Sequence, residues 1–251
     1  MKATAFESRF RFALQALLYA LGFLAPWTLL PGWSSTGAST RASFEPAWLA
    51  LSTLLYRQGW LTYNAAVLAL LGVAIVLTGL GAWLRMWGAA YAGSRLVPSS
   101  AGSLLADGPF RRTRNPLLLG TLLHTLGIAL LMPPSGAVFA AVTLGLFQLR
   151  LALAEESSLA ARLGQPYRDY AARVPRFLPA PAAQVPDAGA RPNWVQAVLS
   201  QLYFLCAFLV LATLGWTLDG TTLRRALLIS LGLWLIARAF LPRPASEPAL
   251  A

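Results

Sequence analysis

Six long apolar runs, parted by shorter polar stretches, set the pattern of this chain: residues 10–30, 63–87, 116–132, 134–153, 194–217 and 223–241. About 20 apolar residues in a row cross a bilayer as a helix, and each run is near that length. Met132-Pro133-Pro134-Ser135-Gly136, a cluster of helix breakers, is all that parts the third run from the fourth. That spacing predicts a tight antiparallel helical hairpin. Arg11 interrupts the first run near its start, and Arg85 closes the second. The first run is too long for a cleavable signal peptide, and no clear small-residue cleavage site follows it. The expected fold is all-α, a polytopic membrane helical bundle of about six transmembrane helices with cytosolic segments between them. In the outer segment 31–62, Trp33, Trp48 and Trp60 suit an interfacial belt, and 46–56 reads as a short helix lying on the membrane. Residues 179–192, rich in Pro and Ala, read as a linker.

Composition sharpens this picture. Of 251 residues, 57% are hydrophobic and 12% charged, against roughly 45–50% and 25% in soluble domains. Such a chain is neither disordered nor collagenous. Cys206 stands alone, which excludes a disulfide scaffold. Cys206 and His124 together are too few ligands for a Cys/His zinc site, so no metal is expected. The net charge is nonetheless +11, from 20 bases and 9 acids. The bases are scattered between apolar runs rather than gathered on a soluble face, so no nucleic-acid partner is expected. With the N-terminus in the cytosol, only Arg41, Arg57, Arg224 and Arg225 fall outside, which leaves sixteen of the 20 bases inside. The positive-inside rule then puts both termini in the cytosol, and much of the charge is topological. All bases but Lys2 are Arg. That bias, with the Ala and Leu richness, points to a prokaryotic cytoplasmic membrane.

Two cytosolic segments, 88–115 and 154–193, flank the predicted hairpin and emerge beside each other. The first carries Asp107-Gly108-Pro109, a turn, then Arg111, Arg112 and Arg114. Asn115 is placed as the N-cap of a helix opening with Pro116. Its spare N–H groups and the arginines form either an anion site or a plain capped helix. In the second segment, Glu156, Leu159 and Leu163 share a helical face that Gly164 ends. Pro166 opens another helix, with Tyr167, Tyr170 and Val174 as a stripe. Val174-Pro175 leaves in extended form. Glu155 and Glu156 are either a solvated pair on the headgroups or a functional pair at the mouth of a span. Arg173 and Arg176 can anchor a carboxylate or a phosphate. His124 lies within the third run, as packing or as part of a substrate pocket.

The two blocks resemble the membrane superfamily of isoprenylcysteine carboxyl methyltransferases and phospholipid N-methyltransferases. The first block is carried by Gly108-Pro109-Phe110-Arg111, Arg114-Asn115-Pro116 and Gly120. The second is carried by Glu155, Glu156, Leu159, Gly164, Tyr167, Tyr170, Val174-Pro175-Arg176 and Pro179. The resemblance covers about residues 79–179. It divides the chain into N-terminal spans and outer loop (1–78), a methyltransferase-like core (79–179), and a linker with two accessory spans (180–251). Asn115 stands where the family commonly has His, and Leu118 where it has Tyr. Gly79-Leu80-Gly81 resembles the G-x-G that phospholipid methyltransferases place near the cofactor, although small residues in a span also mark close helix packing.

The resemblance implies S-adenosylmethionine (SAM) as methyl donor and a membrane lipid, isoprenoid or prenylcysteine-type acceptor, methylated on a carboxylate or an amine. It implies cofactor contacts at Gly79, Gly81, Arg114, Asn115, Pro116, Leu118, Gly120, Glu155, Glu156, Tyr167 and Tyr170. Arg173, Arg176 and Glu156 would serve the acceptor. Two alternatives stay open. One is an NADPH-dependent reductase of the sterol type, whose cytosolic end carries related patterns. The other is an inactive membrane scaffold of the same fold.

Overall fold

The computed structural model describes residues 3, 4, 6, 7, 10–25, 45–92, 96–98 and 104–240. The end of the first predicted run, most of the outer loop with Trp33, and the chain from 241 onward lie outside the described residues. The described chain is mostly helical, with one two-stranded antiparallel pair, β1 (Val97–Pro98) and β2 (Leu104–Leu105). Its helices are α1 (Arg11–Leu24), α2 (Ala47–Arg57), α3 (Tyr63–Ala90), α4 (Pro116–Ala129), α5 (Pro134–Leu163), α6 (Gln165–Arg173), α7 (Trp194–Ser200), α8 (Leu202–Leu214) and α9 (Gly220–Phe240).

Two helices are long and apolar enough to cross a membrane, α3 and α5, and a third crossing arises if α7 and α8 form one bent span. At about 1.5 Å per residue, the 28 residues of α3 and the 30 of α5 exceed the roughly 30 Å of hydrocarbon. The 14-residue α1 and α4 fall short of it. Val73, Val76, Leu80 and Trp83 on α3 are exposed at helical spacing, as are Val138, Val142 and Leu146 on α5. Such apolar faces are foreign to a water-facing monomer.

Three elements differ from the sequence pattern. The fourth run and the acidic helix after it are a single helix, because nothing between Leu153 and Leu163 breaks it. Gly164, at φ +60°, then ends it in a conformation that a side chain would strain. The fifth run is bent by 72° between Ser200 and Leu202. No proline lies there. The Gln201 side chain is drawn to Arg85, and the Ser200 carbonyl accepts from Trp234 Nε1 at 3.1 Å. Trp48, expected at the interface, is fully buried at the start of α2. The N–H groups of Ala47 and Trp48 donate to the carbonyls of Met132 and Leu130, which docks α2 on the α4–α5 connection.

The main core joins Trp48, Leu71, Ile128, Met132, Leu144, Leu211 and Leu223. A second core lies where α5 meets α6: Leu104, Ala106, Phe110, Tyr167, Tyr170, Val174 and Val185. Val185 belongs to the stretch read as a linker. That stretch is a strap instead. Ala180 N donates to Arg112 O, Gln184 N to Arg111 O, and Ala106 N to Pro186 O. Asp107 Oδ1 accepts from Ala188 N and Ala190 N. Proline removes donors of its own but leaves the carbonyls and flanking N–H groups to dock.

Candidate active site

The centre of the site is Glu156, 8% exposed on α5. Its Oε1 accepts from Asn115 Nδ2 at 2.8 Å and Arg176 Nε at 3.0 Å. Its Oε2 accepts from Arg114 NH1 at 2.9 Å and Arg176 NH2 at 3.0 Å. Backbone pairing brings these groups together. Pro175 forces Val174 into an extended conformation (φ −93°, ψ 123°), which ends α6 and carries residues 175–177 past 113–115. Arg114 N then donates to Pro175 O at 2.9 Å, and Asn115 N to Arg176 O at 3.2 Å. The buried Thr113 hydroxyl closes the pairing on Phe177 O at 2.9 Å. Thr113 carried no sequence signal, because a lone Thr before an Arg-Asn-Pro turn is unremarkable.

Two guanidinium groups surround one carboxylate, so the cluster carries an excess positive charge. Arg114 and Glu156 are largely shielded, with side chains 15% and 10% exposed. Charged hydrogen bonds to Glu156 push the Arg176 guanidinium above its ordinary range. Burial, and then the charge of Glu156, pushes the Tyr167 hydroxyl up to about 12. Arg114 Nε is buried with no hydrogen-bond partner among the described residues.

Arg114, Asn115, Glu156 and Arg176 meet directly, with the buried Tyr167 beside them. Pro116 is buried at the start of α4, and Leu118 is half-buried two residues on. Asn115 occupies the N-cap position but makes no side-chain cap, and its Nδ2 donates to Glu156 and to Arg176 O. Arg111 pairs with Asp187 at 3.0 Å, and Arg112 donates to Pro181 O. Both therefore hold the strap, and Arg114 alone of the three serves the cluster. The Tyr170 hydroxyl donates to Phe110 O at 2.8 Å, which ties α6 to the Gly108–Arg111 turn. Arg173 is exposed, and Glu155 is half-buried. Gly79, Gly81 and Gly120 are contact points between helices. A Cβ on Gly81 would lie 2.6 Å from Gly120 O, and one on Gly79 would lie 2.9 Å from the Phe208 ring.

No family model, no curated protein and no solved structure matches the chain.

Proposed function

We propose that this protein is a SAM-dependent methyltransferase of the membrane, acting on a lipid, isoprenoid or prenylcysteine-type acceptor. The observation that supports this reading is the buried cluster of Arg114, Asn115, Glu156 and Arg176, which unites two blocks far apart in sequence. The residues present fit the cofactor. The orphaned Arg114 Nε–H and the excess positive charge suit its carboxylate. Glu155 suits its amine or ribose hydroxyls, and the Tyr167 ring its adenine or sulfonium. When bound, SAM supplies a methyl group already activated on sulfur.

The chain's own task is to align the acceptor and exclude water. Glu156 receives donors on both oxygens, which makes it a firm positioning group. A carboxylate acceptor needs no base, only an anchor, and the 39%-exposed side chain of Arg176 offers a cation for it. This geometry favours O-methylation over N-methylation. The exposed apolar faces of α3 and α5 are the surfaces a bilayer would cover, so the acceptor arrives laterally. In this reading α1, α4 and α9 complete about six crossings around the α4–α5 hairpin. The charge bias then sets the cluster on the cytosolic side of a prokaryotic membrane, with both termini in the cytosol.

The test is thermal stabilisation of the purified protein by S-adenosylhomocysteine and by NADPH, with transfer of labelled methyl from SAM to a lipid extract. Stabilisation by S-adenosylhomocysteine and a labelled lipid product are expected. Stabilisation by NADPH alone would shift the reading to a reductase. Binding of neither, with indifference to Glu156→Gln, would leave a scaffold.

A further inference from the structure

A second cation sits apart from the cluster. Arg85 lies near the end of α3, a helix long enough to cross the membrane. Arg111, Arg114, Arg150 and Arg176 each pair with a carboxylate. Arg85 pairs with none among the described residues, and every partner it has is neutral. Its Nε donates to Gln201 Oε1 at 2.8 Å, and its NH1 donates to Leu117 O at 3.1 Å and to Thr121 Oγ1. Its guanidinium carbon lies 3.9 Å from the centre of the Phe204 ring. The two N–H groups of NH2 have no protein partner among the described residues.

Four neutral groups, from α4, α8 and the bend at Gln201, thus hold the fork in place without neutralising it. A cation held this way in a low-dielectric setting is costly unless an anion joins it. Beside it stands a second unsatisfied group. His124 is 0% exposed, and among the described residues neither ring nitrogen has a well-formed hydrogen bond, with the Thr78 backbone nearby. It packs edge-on against the same Phe204 ring, at 4.7 Å. Gly81, one turn before Arg85, permits this approach, since a Cβ there would lie 2.8 Å from His124 N. Thr121 and Gln201 are both buried, so the polar groups around Arg85 are built into the fold rather than solvated. Leu80 and Trp83, each 50% exposed and apolar, mark the opposite, bilayer-facing side of α3.

We propose that Arg85, framed by Thr121, Gln201 and His124, is a binding site for the anionic headgroup of a membrane amphiphile, a carboxylate or a phosphate monoester. Its acyl chain would stay in the bilayer that covers the exposed apolar face of α3. Arginine suits both headgroups because its planar fork meets two oxygens at once. The site does not depend on methyl transfer. It stands if the lipid is the acceptor and equally if it is a bound cofactor lipid.

The test uses the full-length protein in neutral detergent, with labelled oleate and dioleoyl phosphatidic acid as probes. Dioleoylglycerol and inorganic phosphate are the controls. The wild-type melting temperature should rise with either acidic lipid and not with dioleoylglycerol, a measurement that needs no variant. Arg85→Gln should weaken binding of both acidic lipids at least tenfold, and Arg85→Lys less. Absence of acid-selective stabilisation in the wild type would overturn the proposal. So would a folded Arg85→Gln that binds as the wild type does. Inorganic phosphate competing as strongly as phosphatidic acid would overturn the lipid assignment. S-adenosylhomocysteine binding, measured alongside, reports on the methyltransferase reading separately.

Discussion

Arg176 grips Glu156 side-on, its Nε 3.0 Å from one carboxylate oxygen and its NH2 3.0 Å from the other. This two-point pairing fixes the carboxylate plane and leaves Arg114 and Asn115 to complete its coordination. Glu156→Gln keeps the shape and removes the charge, stranding the shielded Arg114 guanidinium and leaving the more exposed Arg176 without its partner. Breaking a buried pair by removing one partner costs about 3–5 kcal/mol. The variant should insert, melt earlier and lose at least tenfold in methyl transfer. Arg114→Ala should lose activity to a similar degree. Thermal melting and labelled-methyl transfer, measured together, check both.

Asn115 gives Glu156 a single charge-assisted hydrogen bond of 2.8 Å. Such bonds contribute about 1.5–3 kcal/mol. Asn115→Leu should therefore destabilise by about that amount. Asn115→His, which supplies a ring N–H donor in place of the amide, should destabilise less and keep transfer. Chemical denaturation of the two variants checks the order. Equal losses would mean that the hydrogen bond is not what holds this position.

Much of the cluster was legible because proline and glycine fix local conformation wherever they stand. Pro116 opens α4 and Pro175 ends α6 where two segments of the chain pair side by side, and Gly164 marks the end of α5. What was hidden depended on partners distant in sequence. Arg111 and Arg112 look the same as Arg114 in sequence, yet they face a strap some 70 residues later. The break at Gln201 carries no proline and coincides with a hydrogen bond to Arg85 across 116 positions. Trp48 looked interfacial because its neighbours are outer-loop residues. The α4–α5 connection that buries it lies far along the chain.

Tyr167 carries a pH dependence. Its hydroxyl is raised from 10.0 to about 12, first by burial and then by the charge of Glu156. A folded-state value above the unfolded one stabilises the fold fully below pH 10 and loses that contribution as pH rises through 12. At about 1.4 kcal/mol per unit, the loss is about 2–3 kcal/mol. Wild-type melting should fall more steeply between pH 10 and 12 than that of Tyr167→Phe, which keeps the ring and loses the ionisation. Parallel curves would show that Tyr167 does not couple to the fold.

The proposed orientation sets Arg168 on α6 and Thr217 beyond α8 on opposite faces of the membrane. Both are exposed. On a Cys206→Ala background, Thr217→Cys should react with an impermeant maleimide in intact cells. Arg168→Cys should react only after permeabilisation. The reverse pattern would invert the topology and carry the cluster to the other side.

The glycines of α3 separate two accounts of Gly79-Leu80-Gly81. A Cβ on Gly81 meets backbone, Gly120 O at 2.6 Å and His124 N at 2.8 Å, and backbone cannot step aside. A Cβ on Gly79 meets only the Phe208 ring, which can shift. Overpacking of this kind costs about 1–3 kcal/mol. Gly81→Ala should therefore lower the melting temperature clearly, and Gly79→Ala less, with transfer falling in step with stability. If these glycines instead admitted the cofactor, KM for SAM would rise while the melting temperature held. Steady-state kinetics over a range of SAM concentrations, set beside melting curves of both variants, decides which role they play.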